Sequence, residues 1–412
     1  MPPADLAWML AAFALVLLMF PGLALFYGGM LDGRNALNMF MMVMGSLAVT
    51  SVVYVLFVHG LVVGDSVGGL GLIGDPLPFL DGSVYTADDG SDSAYWAAFY
   101  TLFAAISIGI VASGAAGRMR FGAWLLFAVL WVVLVYAPLA HWVFTFSDEE
   151  SGYVGGWIRN VLELHDYAGG TAVHMNAGAA ALALALVLGP RRAPAGRPHN
   201  LSLVLLGAGF LFFGWIGFNG GTAAGANFLA GYVTFTTLLA ALAGSLGFML
   251  VERIRDGQAT TLGFATGLIA GLVGITPAAD AVTPVGSVVL GFVTAIVVAW
   301  AITWKRRHKI DDSFDAFAVH GIGGIVGAYF VVLFGAASAP AGIAGVLFGG
   351  DPLLVVRETV AIVVTCVYSF GVTYAIAWVM DRVRPIRVSE RVEADGLDRG
   401  LHAETAYEFD RV

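Results

Sequence analysis

Long apolar segments constrain the fold of this chain more than any other feature. Eleven segments are apolar over the length of about 20 residues that a helix needs to cross a bilayer. They are residues 6–30, 36–63, 94–114, 121–144, 167–188, 200–219, 225–251, 258–276, 282–304, 313–334 and 356–381. Backbone groups in lipid must bond within their own segment, and none of these segments shows the alternation of a barrel strand. The sequence therefore predicts an all-α polytopic membrane protein with eleven transmembrane helices.

Composition excludes a soluble fold and one class of chemistry. Hydrophobic residues make up 59% of the 412 residues, and the mean hydropathy is +0.84. A soluble core cannot bury that much apolar surface. Cys366 is the single cysteine, so an internal disulfide and a cysteine-based metal site are both excluded. We interpret Cys366 as a small hydrophobic side chain within the last segment.

Basic residues predict the orientation. All but two of the 20 Lys and Arg residues fall in alternate loops or in the tail from Arg382, the exceptions being Arg159 and Arg357. Basic loops stay on the cytoplasmic side, which places the N-terminus outside and the C-terminus inside. We expect a membrane domain over residues 1–381 and a cytoplasmic regulatory tail over residues 382–412. Composition leaves open whether the tail is a disordered, solvating segment or a docking segment.

Acidic residues crowd the predicted external loops. Such a surface either attracts cations or simply keeps long loops soluble, and the second interpretation is the more common. These residues are Asp65, Asp75, Asp81, Asp88, Asp89, Asp92, Asp148, Glu149 and Glu150.

Two histidines lie inside apolar segments. His174 is in the fifth segment and His320 in the tenth, and each has an aspartate upstream, Asp166 and Asp315. An ionisable group at membrane depth is costly and usually faces a cavity, a partner or a pore. The matching positions predict one central site, and a 5+5 inverted repeat with one extra helix. Pairs of glycines four residues apart, such as Gly267 and Gly271, predict closely packed helices.

Four long motifs carry a family resemblance. They are residues 21–29 (PGLALFYGG), 166–176 (DYAGGTAVHMN), 214–219 (GWIGFN) and 311–321 (DDSFDAFAVHG). Together they resemble the ammonium transporter family (Amt/Mep/Rh), in its Amt branch, from residue 8 to residue 409. The resemblance implies a homotrimer in the plasma membrane, with one pore per subunit that conducts ammonium-derived nitrogen. It implies no enzymatic activity, no cofactor and no metal, and leaves methylammonium open as a substrate.

Physical chemistry agrees with that implied function. Ammonium resembles potassium in size and charge, so its removable proton is the property that separates them. A narrow apolar pore excludes ions that must lose their hydration, whereas neutral ammonia passes at low cost. Two neutral imidazoles can share one hydrogen bond and keep their other nitrogens facing the lumen.

The resemblance also implies roles for individual residues. It makes His174 and His320 the paired imidazoles of the pore, which offer ammonia polar contacts and can relay a proton. It assigns ammonium recruitment and gating to Phe103, Phe218, Phe144, Thr222 and Asp166. Aromatic faces attract a small cation. Asp166 has a second interpretation as the N-cap of the fifth helix.

Three departures from the family pattern concern the outer site. Phe144 stands where the family has tryptophan, and phenylalanine is a weaker cation host. The loop that follows, Thr145–His165, is unusually long and contains Trp157, a candidate substitute. Tyr100 stands where many members have glutamine.

The opposite side of the membrane carries charged residues. Asp311, Asp312 and Asp315 precede the tenth helix, and we expect them to cap it or to pair with the Lys305–Lys309 cluster. Residues 396–407 resemble the family's C-terminal segment, which is regulated by trimeric PII-type proteins. Ala403 departs from that motif at a glycine position.

Two other classes of function remain as alternatives. A sensor would bind ammonium and signal through its tail, and the changed outer site motivates this interpretation. An intramembrane metalloenzyme would need ligand spacing that the chain lacks. His59 and His141 are interpreted as structural histidines.

Overall fold

The chain forms a bundle of helices that alternate in direction. The computed structural model describes residues 1–86, 93–192 and 198–407. Within these ranges no strand occurs, and ten helices are long and apolar enough to cross a membrane. Those ten and the shorter α8 are α1 Pro3–Met30, α2 Ala36–Val63, α3 Ser93–Gly114, α4 Phe121–Phe144, α5 Gly170–Leu188, α6 Leu201–Thr222, α7 Phe228–Asp256, α8 Thr261–Ile275, α9 Pro284–Arg307, α10 Phe317–Phe334 and α11 Leu353–Val383.

The prediction of an all-helical membrane protein is confirmed, with changes in detail. Helix α5 begins at Gly170 and α10 at Phe317, each a few residues later than predicted. The eighth segment forms a helix of 15 residues, Thr261–Ile275, which ends in a series of turns. Asp88, Asp89, Asp92 and Arg197 lie outside the described residues, as do residues 408–412 of the tail.

The bundle has two ends of different charge. At the end where α1 begins, Trp8 of α1 donates to the carbonyl of Gly220 at the end of α6, over 3.1 Å. This end also carries the loops with Asp75 and Asp81, and we call it the acidic end. The other end, where α2 and α4 begin, carries most of the Lys and Arg residues, and we call it the basic end.

Glycines let pairs of helices approach at backbone distance. A Cβ atom on Gly271 of α8 would collide with the carbonyl of Ala240 on α7. A Cβ atom on Gly178 of α5 would likewise collide with the backbone of Gly321 on α10. The second contact matters for function, because it brings together the two helices that carry His174 and His320.

An ion network joins loops at the basic end. Asp311 accepts hydrogen bonds from the backbone and the guanidinium of Arg191, and the Arg118 guanidinium lies 3.3 Å from it. Burial alone would raise the pKa of Asp311, but the Arg191 hydrogen bonds and the Arg118 charge outweigh burial and lower the pKa to about 2. The loop before α10 is thereby tied to the ends of α3 and α5.

The described part of the tail is docked on the basic end. After α11 the chain bonds to the α3–α4 loop, where Arg120 N–H donates to the carbonyl of Ile386 over 2.9 Å. It then forms a short helix, α12 Glu390–Asp395, and returns to the start of α2. Residues 385–407 therefore pack against the bundle, which fits the interpretation of the tail as a docking segment.

Candidate functional site

Two buried imidazoles face each other where α5 and α10 meet. The Nδ1 atoms of His174 and His320 are 3.2 Å apart, and the residues are 1% and 5% exposed. Each lies in the π-helical turn that opens its helix, Gly170–Met175 and Phe317–Ile322. A neutral imidazole has one N–H and one acceptor nitrogen, so one ring donates its Nδ1–H to the other. The structure thus brings the two sequence-identified histidines into one site.

A tryptophan fixes the orientation of the first imidazole. The Trp215 ring stacks on His174 with centroids 5.3 Å apart and planes 23° apart. The indole N–H of Trp215 donates to Thr276 Oγ1 over 2.8 Å. Trp215 is therefore held from α8 while it covers one face of the His174 ring.

A narrow and mostly apolar cavity borders the histidine pair. Apart from His174, His320 and the phenol of Tyr27, its wall consists of apolar side chains from α1, α3, α6 and α8. The Nε2 atom of His174 has no protein partner among the described residues. A small polar molecule in this cavity would find a hydrogen-bonding partner there, whereas a fully hydrated ion would lose its water without replacement.

A stacked ring pair lies between the cavity and the acidic end. Phe103 of α3 and Phe218 of α6 have centroids 4.0 Å apart and planes 13° apart. Both rings are buried. Thr222 lies one turn after Phe218, and its hydroxyl donates to the Phe218 carbonyl over 2.9 Å. The oxygen of Thr222 keeps its lone pairs free to accept a hydrogen bond.

Further aromatic rings continue from this pair toward the acidic end. Tyr100 meets the edge of Phe103, and Trp96 stacks on Tyr100 with centroids 5.5 Å apart. These α3 residues form a continuous aromatic surface that leads to the stacked pair. Trp157 packs against Trp142, and its backbone N–H bonds to Gly71.

Asp166 organises the first turn of α5. Its two carboxylate oxygens accept hydrogen bonds from the backbone N–H groups of Gly169, Gly170 and Thr171, over 2.9, 2.7 and 2.7 Å. The N-capping expected for Asp166 is therefore present. Gly169 has a φ of +109°, and the Phe144 ring lies against it, so Phe144 contacts the entrance of α5.

A second ring pair borders the cavity toward the basic end. Tyr27 of α1 stacks on Phe314, which precedes α10, with centroids 4.1 Å apart. Both rings also line a vestibule that contains the charged side chains of Glu252, Arg255 and Arg306. The cavity with the histidines thus lies between two aromatic pairs.

The aspartates before α10 have separate partners. Asp312 caps the helix by accepting from Phe317 N–H over 2.8 Å, and Asp315 forms an ion pair with Lys305 at 2.6 Å. Capping and pairing with the lysine cluster thus both occur. Asp311 pairs instead with Arg191.

Metal ligands do not cluster in the described ranges. No group of three or more His, Cys, Asp or Glu side chains there is placed to hold a metal ion. Cys366 packs beside Met175, Ala328 and Ile362, in agreement with its interpretation as a hydrophobic side chain.

Comparison with known proteins decides the family. The model of the Ammonium Transporter Family matches residues 7–407. The chain belongs to this family. It is 61% identical to an "Ammonium transporter" of Corynebacterium glutamicum, over 99% of this chain and 90% of the relative. It is 42% identical to an "Ammonium transporter" of Bacillus subtilis, over 99% of both chains.

Solved structures of the same family share the fold. A "Sensor Amt Protein" superposes with a TM-score of 0.86 at 27% identity, covering 96% of this chain and 97% of the other. Mep2 of Saccharomyces cerevisiae superposes with a TM-score of 0.83 at 32% identity, covering 94% and 90%. This ammonium transporter family member is a multi-pass membrane protein and not an enzyme, as the sequence predicted.

Three site residues of the ammonium transporter fold were not singled out from the sequence. All three lie inside the motifs quoted above, Tyr27 in residues 21–29, Trp215 in residues 214–219 and Phe314 in residues 311–321. An aromatic residue within a motif was the available signal. It carried little weight because 12% of the chain is aromatic.

Proposed function

We propose that this protein conducts ammonium-derived nitrogen across the plasma membrane. Ammonium is recruited at the acidic end, loses its proton, and passes as ammonia through the cavity beside His174 and His320. The proton follows by a separate route. The observation that carries this proposal is the 3.2 Å imidazole pair in a cavity closed by two aromatic pairs.

The proposal includes a topology and an assembly. We place eleven crossings in the membrane, with the N-terminus outside and the C-terminus inside, and relate α1–α5 to α6–α10 as an inverted repeat. Support comes from α5 and α10, which start at opposite ends and each open with a π-helical turn that carries a histidine. The functional unit is a homotrimer. Residues 1–381 form the conducting domain, and residues 382–412 form the regulatory tail, with a PII-type protein as the partner.

Recruitment is assigned to the aromatic surface at the acidic end. Phe103, Phe218 and Phe144 present ring faces to a desolvating cation, and Thr222 supplies an acceptor oxygen. Asp166 acts mainly by orienting the first turn of α5, because backbone N–H groups occupy its carboxylate oxygens. Its negative charge also favours a cation nearby. Trp157 packs on Trp142 instead and is not assigned to this surface.

Selectivity follows from the environment of the histidines. A cation that loses its hydrating water in an apolar cavity pays a desolvation cost of several kcal/mol or more, whereas neutral ammonia pays little. The imidazoles offer ammonia the hydrogen bonds it would otherwise lose. The hydrogen bond between the two rings also lets them pass a proton from one imidazole to the other within the cavity.

A sensor function is the second candidate. Two observations favour it, namely the changed outer site at Phe144 and Tyr100, and the similarity to the structure titled "Sensor Amt Protein". A sensor would bind ammonium with little flux. Transport measurements separate the two functions.

The test is the current from purified protein in liposomes after an ammonium jump, with a potassium jump for comparison. We expect an ammonium-specific current in the wild type. Replacing both His174 and His320 with alanine should lower it about ten-fold or more, or abolish selectivity over potassium. His308→Ala, an exposed histidine at the basic end, is the matched control and should behave as wild type.

The other outcomes are also informative. An unchanged current and selectivity in the double variant would overturn the role of the histidines. No current together with alkalinisation, read by an internal pH dye, would show electroneutral ammonia conduction. No current and no pH change would overturn conduction and leave the sensor.

A further inference from the structure

A buried carboxyl group in α11 has no role in the site described above. Glu358 is 2% exposed, and its Oε1 atom has no partner among the described residues. A carboxylate buried without a positive partner costs several kcal/mol or more, a cost that the neutral carboxylic acid avoids. Such a group is suited to accept a proton and pass one on.

Glu358 heads a row of polar residues on the buried face of α11. The other members are Thr365, Ser369 and Thr373, which lie 7, 11 and 15 residues after Glu358. With 3.6 residues per turn, these spacings place all four residues on one side of the helix. All four are buried. We call Glu358, Thr365, Ser369 and Thr373 the α11 polar row. At about 1.5 Å per residue it extends for about 22 Å through the bundle.

Two hydroxyl groups of the row bond to neighbouring helices. Serine and threonine in helices usually bond to the carbonyl four residues earlier. Ser369 instead donates to the carbonyl of Asn176 on α5 over 2.7 Å, and Thr373 accepts from the indole N–H of Trp131 on α4 over 2.9 Å. Thr365 Oγ1 has no partner among the described residues.

The row lies beside the helix that carries His174. Ile362 of α11 packs against Met175, the residue after His174 on α5. Ser369 bonds to the next residue of α5, Asn176. On α5 itself, Thr171 Oγ1 and Asn176 Oδ1 are also buried and without partners in the described chain. Buried polar atoms are normally satisfied, and where protein supplies no partner, ordered water does.

We propose that the α11 polar row carries the proton that ammonium releases, with Glu358 as its entry group. This inference rests on the proposed function and adds a route for the proton beside the route for ammonia. It gives the separation of proton and ammonia a structural basis, since the row lies next to α5 and is distinct from the apolar cavity at His174.

The step balances as a proton transfer. The N–H bond of ammonium breaks, its electron pair stays on nitrogen, and ammonia enters the cavity. One oxygen of the Glu358 carboxyl group accepts the proton while the other oxygen gives up its own. The released proton moves along water and the hydroxyl groups of Thr365 and Ser369. Glu358 is neutral again after each cycle, and ammonia and the proton recombine on the far side.

The test separates charge movement from ammonia movement in liposomes that contain the full-length protein. Ammonium-driven current reports charge, and an internal pH dye reports ammonia entry. Glu358→Gln keeps the size and the hydrogen-bonding capacity of the side chain but cannot relay a proton. We expect its current to fall about ten-fold or more while ammonia entry persists. Glu358→Asp, which restores a carboxyl group, should recover part of the current.

Two more variants make the result decisive. Glu163→Gln is the control, because Glu163 has an exposed carboxyl group that pairs with Arg357, the residue before Glu358. This variant should leave the current unchanged. Thr365→Val removes one hydroxyl group from the row at constant shape and should reduce the current about three-fold without affecting ammonia entry. If Glu358→Gln does not elute as folded protein, Thr365→Val tests the proton route in its place.

Some outcomes would overturn the inference. A current within two-fold of wild type in a folded Glu358→Gln variant, or an unchanged current in Thr365→Val, would do so. A proportional loss of current and ammonia entry would show that Glu358 only supports the structure. An electroneutral wild type would also remove the route, although ammonia conduction would stand. Absence of any flux in the wild type would instead contradict the proposed function.

Discussion

At the scale of single residues, the site depends on a few side chains with several contacts each. Trp215 covers His174 and is itself held by Thr276, so the orientation of one imidazole depends on a hydroxyl group in the turn after α8. Asp166 similarly acts on His174 through the backbone, because it fixes the turn from which the histidine projects. The positions of the imidazoles are therefore set by neutral and backbone contacts more than by charge.

Phe144 offers a direct test of the outer site. Its ring lies against Gly169, at the entrance of α5 and within three residues of Asp166. Phe144→Trp should lower the half-saturating ammonium concentration by about two-fold or more, because the indole ring of tryptophan is the best cation host among the aromatic side chains. The measurement is the ammonium dependence of the liposome current.

A nearby aromatic residue controls for added ring area. Phe146 is exposed, and the Arg159 guanidinium already covers its ring at 4.1 Å. Phe146→Trp should therefore leave the ammonium dependence unchanged. Equal half-saturating concentrations for Phe144→Trp and wild type would mean that Trp157 or another ring already fills this role.

The sequence specified some of these residues and not others for a physical reason. His174 and His320 stood out because a titratable group within an apolar segment is rare. Glu358 carried the same signal, but it lies near the predicted start of its segment, where an interfacial position was equally consistent. Trp215 and Phe314 could not be placed, because a segment that is apolar on all sides does not reveal which side faces a cavity.

At the scale of helices, the membrane spans could be predicted from the sequence, whereas the details that depend on contacts between helices could not. The ten long helices follow directly from the length of their apolar segments. The π-helical turns at the two histidines and the short α8 do not, since each depends on contacts with other helices. Thr276 lies just after α8. Its hydroxyl group accepts a hydrogen bond from Trp215, and its carbonyl accepts one from the backbone N–H of Ala168. The turns that shorten α8 therefore also help to build the site.

Backbone contact between α7 and α8 predicts a large effect of one methyl group. Gly271→Ala should place a Cβ atom on the Ala240 carbonyl and force the two helices apart. Such overpacking costs about 1–3 kcal/mol, so the midpoint of thermal unfolding in detergent should fall clearly below that of wild type.

Gly231 provides the control within the same helix pair. It lies in α7, and a Cβ atom there would meet nothing within 4 Å. Gly231→Ala should keep or raise the midpoint, because alanine favours the helix by up to about 1 kcal/mol. Similar midpoints for the two variants would contradict the backbone contact between α7 and α8.

At the scale of the whole molecule, the tail connects the basic ends of α1 to α5. Glu393 accepts from the backbone N–H of Arg192 beyond α5, and Arg387 donates to the carbonyl of Leu188 at the end of α5. The tail also bonds to the loops after α1 and α3. A regulator that pulls the tail away would therefore act on every helix of the first half at once. Composition could not show this, because the same charged residues suit a solvated tail.

Asp398 is the residue on which this docking depends most. It is 1% exposed, and its carboxylate caps α2 by accepting from Leu37 and Asn38 N–H over 3.0 and 2.7 Å. Burial raises the pKa of Asp398, while the backbone hydrogen bonds of Asn38 and Leu37 oppose that shift. Asp398→Ala removes the cap, and the buried N–H groups of α2 lose their partner at a cost of about 1–3 kcal/mol.

Limited trypsin digestion of the purified protein measures whether the tail is docked. In Asp398→Ala, cleavage after Arg391 and Arg399 should be about ten-fold faster, because cleavage of a segment that opens reversibly follows its open population. Glu390→Ala, which removes an exposed partner of Arg192, should be cleaved at the wild-type rate. Equal rates in both variants would show that the remaining contacts hold the tail without Asp398. A faster rate confined to Asp398→Ala would make the junction between Asp398 and α2 the point at which a regulator could release the tail.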